Sequence, residues 1–497
     1  MDPRQYRLYL RRVAHQVRAS ANVRSERGIL VAAFAVVAIL SASLLLRPAP
    51  TGRSSPSEPG EQAISARFAT TTEALPGPVV VNDGGASSKD ADPVESLVSA
   101  APYPGAVHEV ANPEQWSAAT AAAKPGDIIR LVANINQPLR YWGSRNQSQK
   151  QTGTDGTAER PITITAAPGV WIDPGNQSNR VAALDIGHTA HVNIVGVRVR
   201  NSQFGIRLQD SIGTSESPII IANSEVTDIG HAGIHVAGRL STHEPSRFVQ
   251  VRGNVVTRTG RIAGQFGEGI YIGYGSVQWV DNTTGVEVLN NDISFTTAEG
   301  IDIKPGTRNV LVEGNLIHDL APISGGAISA HYVGNTPNPD PSTPGNVIIR
   351  KNRIWNMNLE AAAGANDWAI WVGHGGVTIE NNAIWGLRGN PNQTRAVRIR
   401  ALQDFGPHPI QIKDNIFWTS TGWLAEGSPS GAGQIQASGN RGPSGAKGIE
   451  AGLDPNNSVP ALGAGGTADN GSGPGSALGF QPVQPLRGLE TEPGFAG

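Results

Sequence analysis

From residue 192 to about 440 apolar side chains fall on alternate positions in short runs. The recurring unit is apolar, any, apolar, two further residues, then asparagine, any, apolar. Full copies occupy 249–256, 286–293, 310–317, 347–354, 377–384 and 410–417, placing Asn254, Asn291, Asn315, Asn352, Asn382 and Asn415 in one slot. A degenerate copy ends at Asn440, and earlier copies begin at Val192 and Ile219 with Val197 and Ser224 in the asparagine slot. Successive starts lie 24 to 37 residues apart. Period-two alternation predicts strands rather than helices. A second short strand follows in each repeat, opening at Gly205, Gly233, Gly269, Gly300, Ala327, Ala369 and Ala396. Short strands at a coil-length period with variable loops predict an all-β solenoid, a parallel β-helix whose asparagines ladder along one turn. A solenoid end needs a cap. Residues 113–133 supply one, with an amphipathic stretch at 118–124 ahead of Pro125-Gly126-Asp127-Ile128-Ile129.

Composition changes the domain count. A chain of 497 residues would ordinarily hold roughly three or four domains. With 61 glycines, 35 prolines and only 5% aromatic residues, one elongated domain between poorly ordered ends is the better expectation. The absence of cysteine excludes a disulfide scaffold, a thiolate zinc site and a thiol nucleophile. Residues 1–28 carry seven arginines against Asp2 and Glu26, a local +5 that leaves −7 for the rest of a chain of formal charge −2. That balance argues against nucleic acid as a partner. The uncharged apolar run at 29–46 is 18 residues long, enough to cross a bilayer, and its arginine flank keeps the N-terminus in the cytoplasm. Export is therefore expected, with the chain anchored by this helix or, after cleavage near Ser41-Ala42-Ser43, secreted. The expected organisation is a basic segment at 1–28, a transmembrane signal-anchor at 29–46 and a flexible linker at 47–105. A β-helix domain at 106–442 and a disordered Gly/Pro/Ala-rich tail at 443–497 follow.

Setting the second strands in register makes columns of outward side chains about 4.8 Å apart. One column runs Arg207, His235, Tyr271, Asp302, Ser329, Trp371, Arg398. The next runs Gln209, Ala237, Gly273, Lys304, His331, Gly373, Arg400. Glu268 and Glu299 stack at the turn entering the strand. Acidic, basic and aromatic groups thus converge around Lys304, one of only seven lysines. Five residues follow Lys304 before the next coil, against twelve below and fifteen above, so a notch is expected with the Asp302/Lys304 coil as its floor.

Ala-Lys-Pro-Gly-Asp-Ile-Ile (123–129) and Gly-Thr-Ala-Glu-Arg-Pro-Ile-Thr-Ile (156–164) resemble the opening of secreted proteins of the pectate-lyase-like, right-handed β-helix superfamily. Gly-Glu-Gly-Ile-Tyr (267–271) and Glu-Gly-Ile-Asp-Ile-Lys-Pro-Gly-Thr (299–307) are similar to a subgroup of it. The resemblance covers roughly 106–442 and implies a right-handed parallel β-helix acting on polysaccharide. Lyases, hydrolases, epimerases and adhesin modules share that fold. By resemblance to its calcium-dependent lyases, the expected reaction is β-elimination in a uronic-acid polymer. Ca2+ would sit on Glu268, Glu299 and Asp302, and Lys304 would be the base. Carboxylates alone would raise the Lys304 pKa, whereas a metal opposes that shift.

Tyr271 is a candidate proton donor to the leaving oxygen, and His331 a candidate acid or alternative base. Arg398 and Arg400 suit carboxylates farther along a polymer, and Trp371 and Trp279, with Trp368, suit stacking on sugar rings. Trp355, Trp385 and Trp418 share one repeat position beside His318 and predict a stacking ladder. Gly373-His374-Gly375 and Arg398-Ile399-Arg400 resemble polygalacturonase-type signatures, but the paired aspartates expected before the histidine are missing and only Asp367 is near. A glycoside hydrolase, a uronate carbon-5 epimerase and a non-catalytic carbohydrate-binding or adhesion protein stay open. The topology further leads one to expect exopolysaccharide processing at the cell surface.

Overall fold

The computed structural model describes residues 105–452, apart from 145–150, 179–180, 240–242, 263–265, 276–279, 324, 331–344, 360–367, 390–393, 401–407, 419–422, 427–434 and 443–450. The expected signal-anchor, nearly all of the linker and most of the tail lie outside these residues. Among the described residues no helix is long and apolar enough to cross a membrane.

The described strands form three sheets, one of twelve strands and two of ten, all paired in parallel. Along most of the chain consecutive strands fall in successive sheets and each strand pairs with its counterpart one coil on. That is a parallel β-helix. The first sheet includes Ile219–Ala222, Arg247–Arg252, Thr284–Leu289 and Arg308–Glu313, and the second Glu225–Thr227, Val255–Thr257, Asp292–Ser294 and Leu316–His318. The third carries Leu139–Trp142, Ala182–Gly187, Phe204–Gln209, Ile234–Ala237, Ile270–Ile272, Ile301–Ile303, Ile328–Ala330, Trp368–Val372 and Arg395–Arg400. Alternate residues of each strand point inward. Val286, Val288, Ile293, Ile301 and Ile303 of one coil are all fully buried, each stabilising the stack by about 1.5–3 kcal/mol.

The asparagine slot is an unbroken internal ladder. The Oδ1 atoms of Asn291, Asn315, Asn352, Asn382, Asn415 and Asn440 each accept the backbone N–H and side-chain amide of the preceding rung at 2.9–3.1 Å. The residue before each rung is left-handed: Gly253, Asn290, Gly314, Lys351, Asn381, Asp414 and Gly439. Glycine, asparagine and aspartate tolerate that conformation best. It turns the chain from the first sheet into the second. In the earlier coils Ser224 takes the slot, accepting from Val197 N–H at 3.3 Å and donating to Ala222 O.

The cap helix, α1 (Pro113–Ala122), starts earlier than the stretch at 118–124 that apolar spacing singled out. The start is set by capping. Asn112 Oδ1 accepts from Gln115 N–H at 2.9 Å, Gln115 Oε1 accepts from Ala111 N–H at 2.7 Å, and Pro113 needs no donor in the first turn. At the far end Ala451–Gly452 pairs with Arg441–Gly442, so the coils reach into the stretch expected as tail.

Candidate active site on the third sheet

The third sheet brings the sequence columns together rung by rung. Strand register places Arg207, His235, Tyr271, Asp302, Ser329, Trp371 and Arg398 side by side in that order, as the alternation predicted. Below Arg207 the column continues through Asp185 to Arg140.

Glu268, Glu299 and Asp302 converge, with one carboxylate oxygen from each lying within 4.8 Å of the others. Glu268 and Glu299 end their turns one coil apart. Gly269 N–H donates to Glu299 O and ties the two turns together, and Gly233 N–H of the coil below donates to Glu268 O, both at 2.9 Å. Asp302, fully buried, pairs with the Lys304 ammonium. Ser329 Oγ, one coil above, donates to Glu299 Oε1 at 3.4 Å. Gly325 closes over Glu299 with a φ of 84°, and a Cβ there would lie 2.2 Å from the Glu299 carboxyl carbon. Any side chain there would strain the backbone and displace the Glu299 carboxyl.

Lys304 lies with Nζ 4.7 Å from the centroid of the Tyr271 ring. Tyr271 OH accepts from Gly275 N–H at 3.1 Å, and the His235 ring meets the Tyr271 ring edge-on at 4.7 Å between centroids. His235 Nε2–H donates to Gly273 O at 3.3 Å. Burial, reinforced by Arg207, lowers its pKa to about 3, so it stays neutral and supports Tyr271.

Charge is out of balance in this pocket. Burial and then the charges of Asp302 and Glu299 push Glu268 up to about 8. Burial alone would favour neutral Lys304, but Asp302, Tyr271, Glu299 and Glu268 outweigh it and hold the ammonium above the ordinary lysine range. Tyr271 is raised by burial. One ammonium against three buried carboxylates leaves excess negative charge, which a proton on Glu268 or a bound cation neutralises. The donor set is all oxygen and anionic, so the three residues fit a hard divalent cation such as Ca2+. Metal-free, Lys304 is an ion-pair partner in its protonated form, the direction the sequence reading assigned to carboxylates acting alone.

Other expected site residues fall differently. His331 and Trp279 lie outside the described residues, as do the side chain of Arg400, Asp367, residues 276–279 of the lower long loop and most of the upper one. Trp368 and Trp371 belong to one strand and are each only 7% exposed, so neither ring is an open platform for sugar. Arg398 stacks over Trp368 at 4.5 Å, three rungs from Asp302. His374 Nδ1–H is turned into its own loop, on Gly375 O at 2.8 Å, a poor setting for the hydrolase signature. The tryptophan ladder stands on the outer face of the second sheet, with Trp355 stacked 5.2 Å from Trp385 and 4.4 Å from His318. Sequence reasoning missed the roles of Ser329 and Gly325. Strand register brings Ser329 to Glu299, and the turn ahead of that strand brings Gly325.

No protein-family model matches the chain, and no curated protein matches it in sequence. Solved structures that it resembles include an alginate lyase from Paenibacillus sp. str. FPU-7, at 19% identity and a TM-score of 0.47 over 67% of this chain and 99% of that one. Pectate lyase Pel9A matches at 14% identity and a TM-score of 0.38 over 70% of this chain and 81% of that one. The GH87 α-1,3-glucanase of Streptomyces thermodiastaticus strain HF3-3 matches at 16% identity and a TM-score of 0.38, over 70% of each chain. The chain's own three sheets of paired parallel strands, which the opening motifs led one to expect, make it a parallel β-helix repeat protein.

Proposed function

We propose that the chain is an exported polysaccharide lyase that cleaves a uronic-acid polymer by β-elimination on the outer face of the third sheet. The observation that carries this reading is the convergence of Glu268, Glu299 and Asp302 within 4.8 Å beside Lys304. Elimination needs positive charge against the uronate carboxylate, a base at the carbon beside it, and an acid at the leaving oxygen. Ca2+ held by the three carboxylates would supply that positive charge. Lys304 Nζ is the group to take the proton. Burial favours its neutral amine, and the opposing carboxylate charges are those that cation binding offsets. Tyr271, whose raised pKa keeps its phenol protonated, is the candidate donor to the leaving oxygen. The apolar run at 29–46 supports placing this site outside the cytoplasm, on an anchored or secreted chain acting on exopolysaccharide.

A second reading follows from the protonation of Glu268. A carboxyl raised to about 8 beside the Glu299 and Asp302 carboxylates is the acid and base or nucleophile arrangement of a glycoside hydrolase. One experiment separates the two. Protein incubated with alginate, polygalacturonate and other polyuronides, with calcium or with chelator, is followed by ultraviolet absorbance of unsaturated product and by reducing ends. A calcium-dependent absorbance rise supports the lyase. New reducing ends without absorbance overturn it in favour of the hydrolase, and neither signal overturns both.

A further inference from the structure

Among the described residues five large apolar side chains are exposed, and four of them lie at one corner of the solenoid. They are Ile262, Phe266, Phe295 and Ile323, exposed by 48, 48, 56 and 50%. All four belong to three consecutive turns from the second sheet into the third, at 258–269, 295–300 and 319–327. Apolar residues scattered singly over a surface are ordinary, whereas a group on stacked turns marks an interaction site. The same turns carry the acidic cluster. Phe266 is two residues before Glu268, Phe295 four before Glu299 and Ile323 two before Gly325. Chain length alone keeps the Phe266 Cα within about 7 Å of that of Glu268, and the Phe295 Cα within about 14 Å of that of Glu299. Backbone bonds tie each turn to the next, with Ile262 N–H donating to Gly230 O at 3.2 Å and Ile323 N–H to Thr297 O at 2.8 Å.

Phe295 stands in a slot that suits other residues. The position just after each second-sheet strand is left-handed, and register aligns it from coil to coil. Its other occupants are Asn201, Asp228, Arg258, Asp319, Asn356 and Gly386. Their polar side chains are used locally: Arg258 donates twice to Asp228 at 2.9 Å, Asn201 to Asp173 at 3.0 Å, and Asp319 pairs with His318 at 2.6 Å. Phe295 takes the same conformation, with a φ of 53°, and leaves its ring the most exposed of the five. Neither backbone preference nor burial selects phenylalanine there, and strain kept without a packing return points to function.

The corner is continuous with the candidate active site. The Phe266 ring lies 5.5 Å from that of His231, His231 5.5 Å from Phe204, and Phe204 5.9 Å from His235, which meets Tyr271. Four side chains are far fewer than the roughly 20–30 residues a side of a stable protein interface, so a narrow ligand suits the corner better than a second protein. A polysaccharide strand is narrow, and its pyranose rings present C–H faces that pack on aromatic rings.

We propose that Phe266 and Phe295, with Ile262 and Ile323 on the same turns, form a stacking edge that binds the apolar ring face of a sugar neighbouring the one held at the acidic cluster. The inference rests on the polyuronide reading for the identity of the polymer. It adds that the strand leaves the cluster over the corner between the second and third sheets.

The test compares the full chain with Phe266→Ala, Phe295→Asn and the double variant, by retardation in native gels containing polygalacturonate, alginate or a neutral xylan. Val107→Thr, which removes an exposed apolar side chain on the first strand, is the control. Each single change should weaken retardation by a polyuronide about threefold or more and the pair about tenfold or more, with the control unchanged. Asparagine suits a φ of 53°, so the unfolding midpoint of Phe295→Asn should hold or rise while binding falls. A lower midpoint would show that Phe295 packs for stability and would overturn the proposal, as would wild-type retardation of the folded double variant. Sedimentation tests the rival occupant: self-association lost in the double variant, with retardation unchanged, makes the corner a contact between copies and overturns the stacking edge. Phenylalanine-dependent retardation by xylan and not by polyuronides supports the edge and overturns the polyuronide reading. Unsaturated product formed by the double variant at the wild-type kcat/KM does the reverse.

Discussion

Replacing Asn291 by alanine tests whether the asparagine ladder sets the geometry of the site. Asn291 lies on the coil that runs from Glu268 to Glu299 and Asp302, and it is fully buried. Its Oδ1 accepts from Asn254 N–H at 3.0 Å and Asn254 Nδ2 at 2.9 Å, while its Nδ2 donates to Val251 O at 2.9 Å and Asn315 Oδ1 at 3.0 Å. Alanine removes all four bonds, with unequal consequences. Asn254 Nδ2 keeps Ile221 O at 2.9 Å, and Asn315 Oδ1 keeps the Asn291 backbone N–H at 2.9 Å. Asn254 N–H loses its acceptor where water does not reach, a cost of about 1–3 kcal/mol. With the other lost bonds and the void, the expected destabilisation is about 3–4 kcal/mol. Asn440, the last rung of the described ladder, is the comparison: its Oδ1 accepts from Asn415 N–H and Nδ2 at 3.1 and 2.9 Å, but among the described residues its Nδ2 donates one bond, to Ile412 O at 2.7 Å, where Asn291 donates two. Asn440→Ala should cost less and leave turnover unchanged, whereas Asn291→Ala should also weaken calcium binding by letting the Glu299 turn relax. Denaturant unfolding of both variants, with calcium titration of each, is the assay. A loss below about 0.5 kcal/mol for Asn291→Ala, the range of an ordinary surface change, would refute the ladder as a determinant of stability.

Lys304→Ala should lower turnover by about a hundredfold or more, and should destabilise the calcium-free protein by about 3–5 kcal/mol because a buried ion pair loses its cation. Retained turnover would remove Lys304 as the base. Calcium at a hundred times its dissociation constant should raise stability by about 2.7 kcal/mol in a thermal scan, and Glu299→Gln should shrink that gain. Burial opposes the charge on His318, but Asp292 and Asp319 outweigh it and raise its pKa to about 9 from 6.5. A raised histidine contributes stability that is complete below about pH 6.5 and is lost as pH rises through about 9. The amount is on the order of 3 kcal/mol. His318→Gln should flatten the pH dependence of the unfolding midpoint in that window, and an unchanged slope would count against the assignment.

The alternation of apolar residues and the asparagine slot determined the solenoid, its coil boundaries from Val192 onward and the outward column from Arg207 to Arg398. These are properties of a period-two chain, in which every other side chain is inside and identical slots stack. The convergence of Glu268, Glu299, Asp302 and Lys304 was legible for the same reason, since all four follow from register alone. Tertiary structure decided what register does not contain. It buried Trp371 although its column is outward, with the Trp368 ring of the same strand 6.4 Å away and Arg398 of the next rung stacked on Trp368. It closed Gly325 over Glu299 across a turn whose path no alternation predicts. It also drew Arg239 from a loop to the indole of Trp142, beside Arg140. Contacts made by turns and loops depend on backbone direction at non-repeating positions, and a repeat pattern carries no information about those.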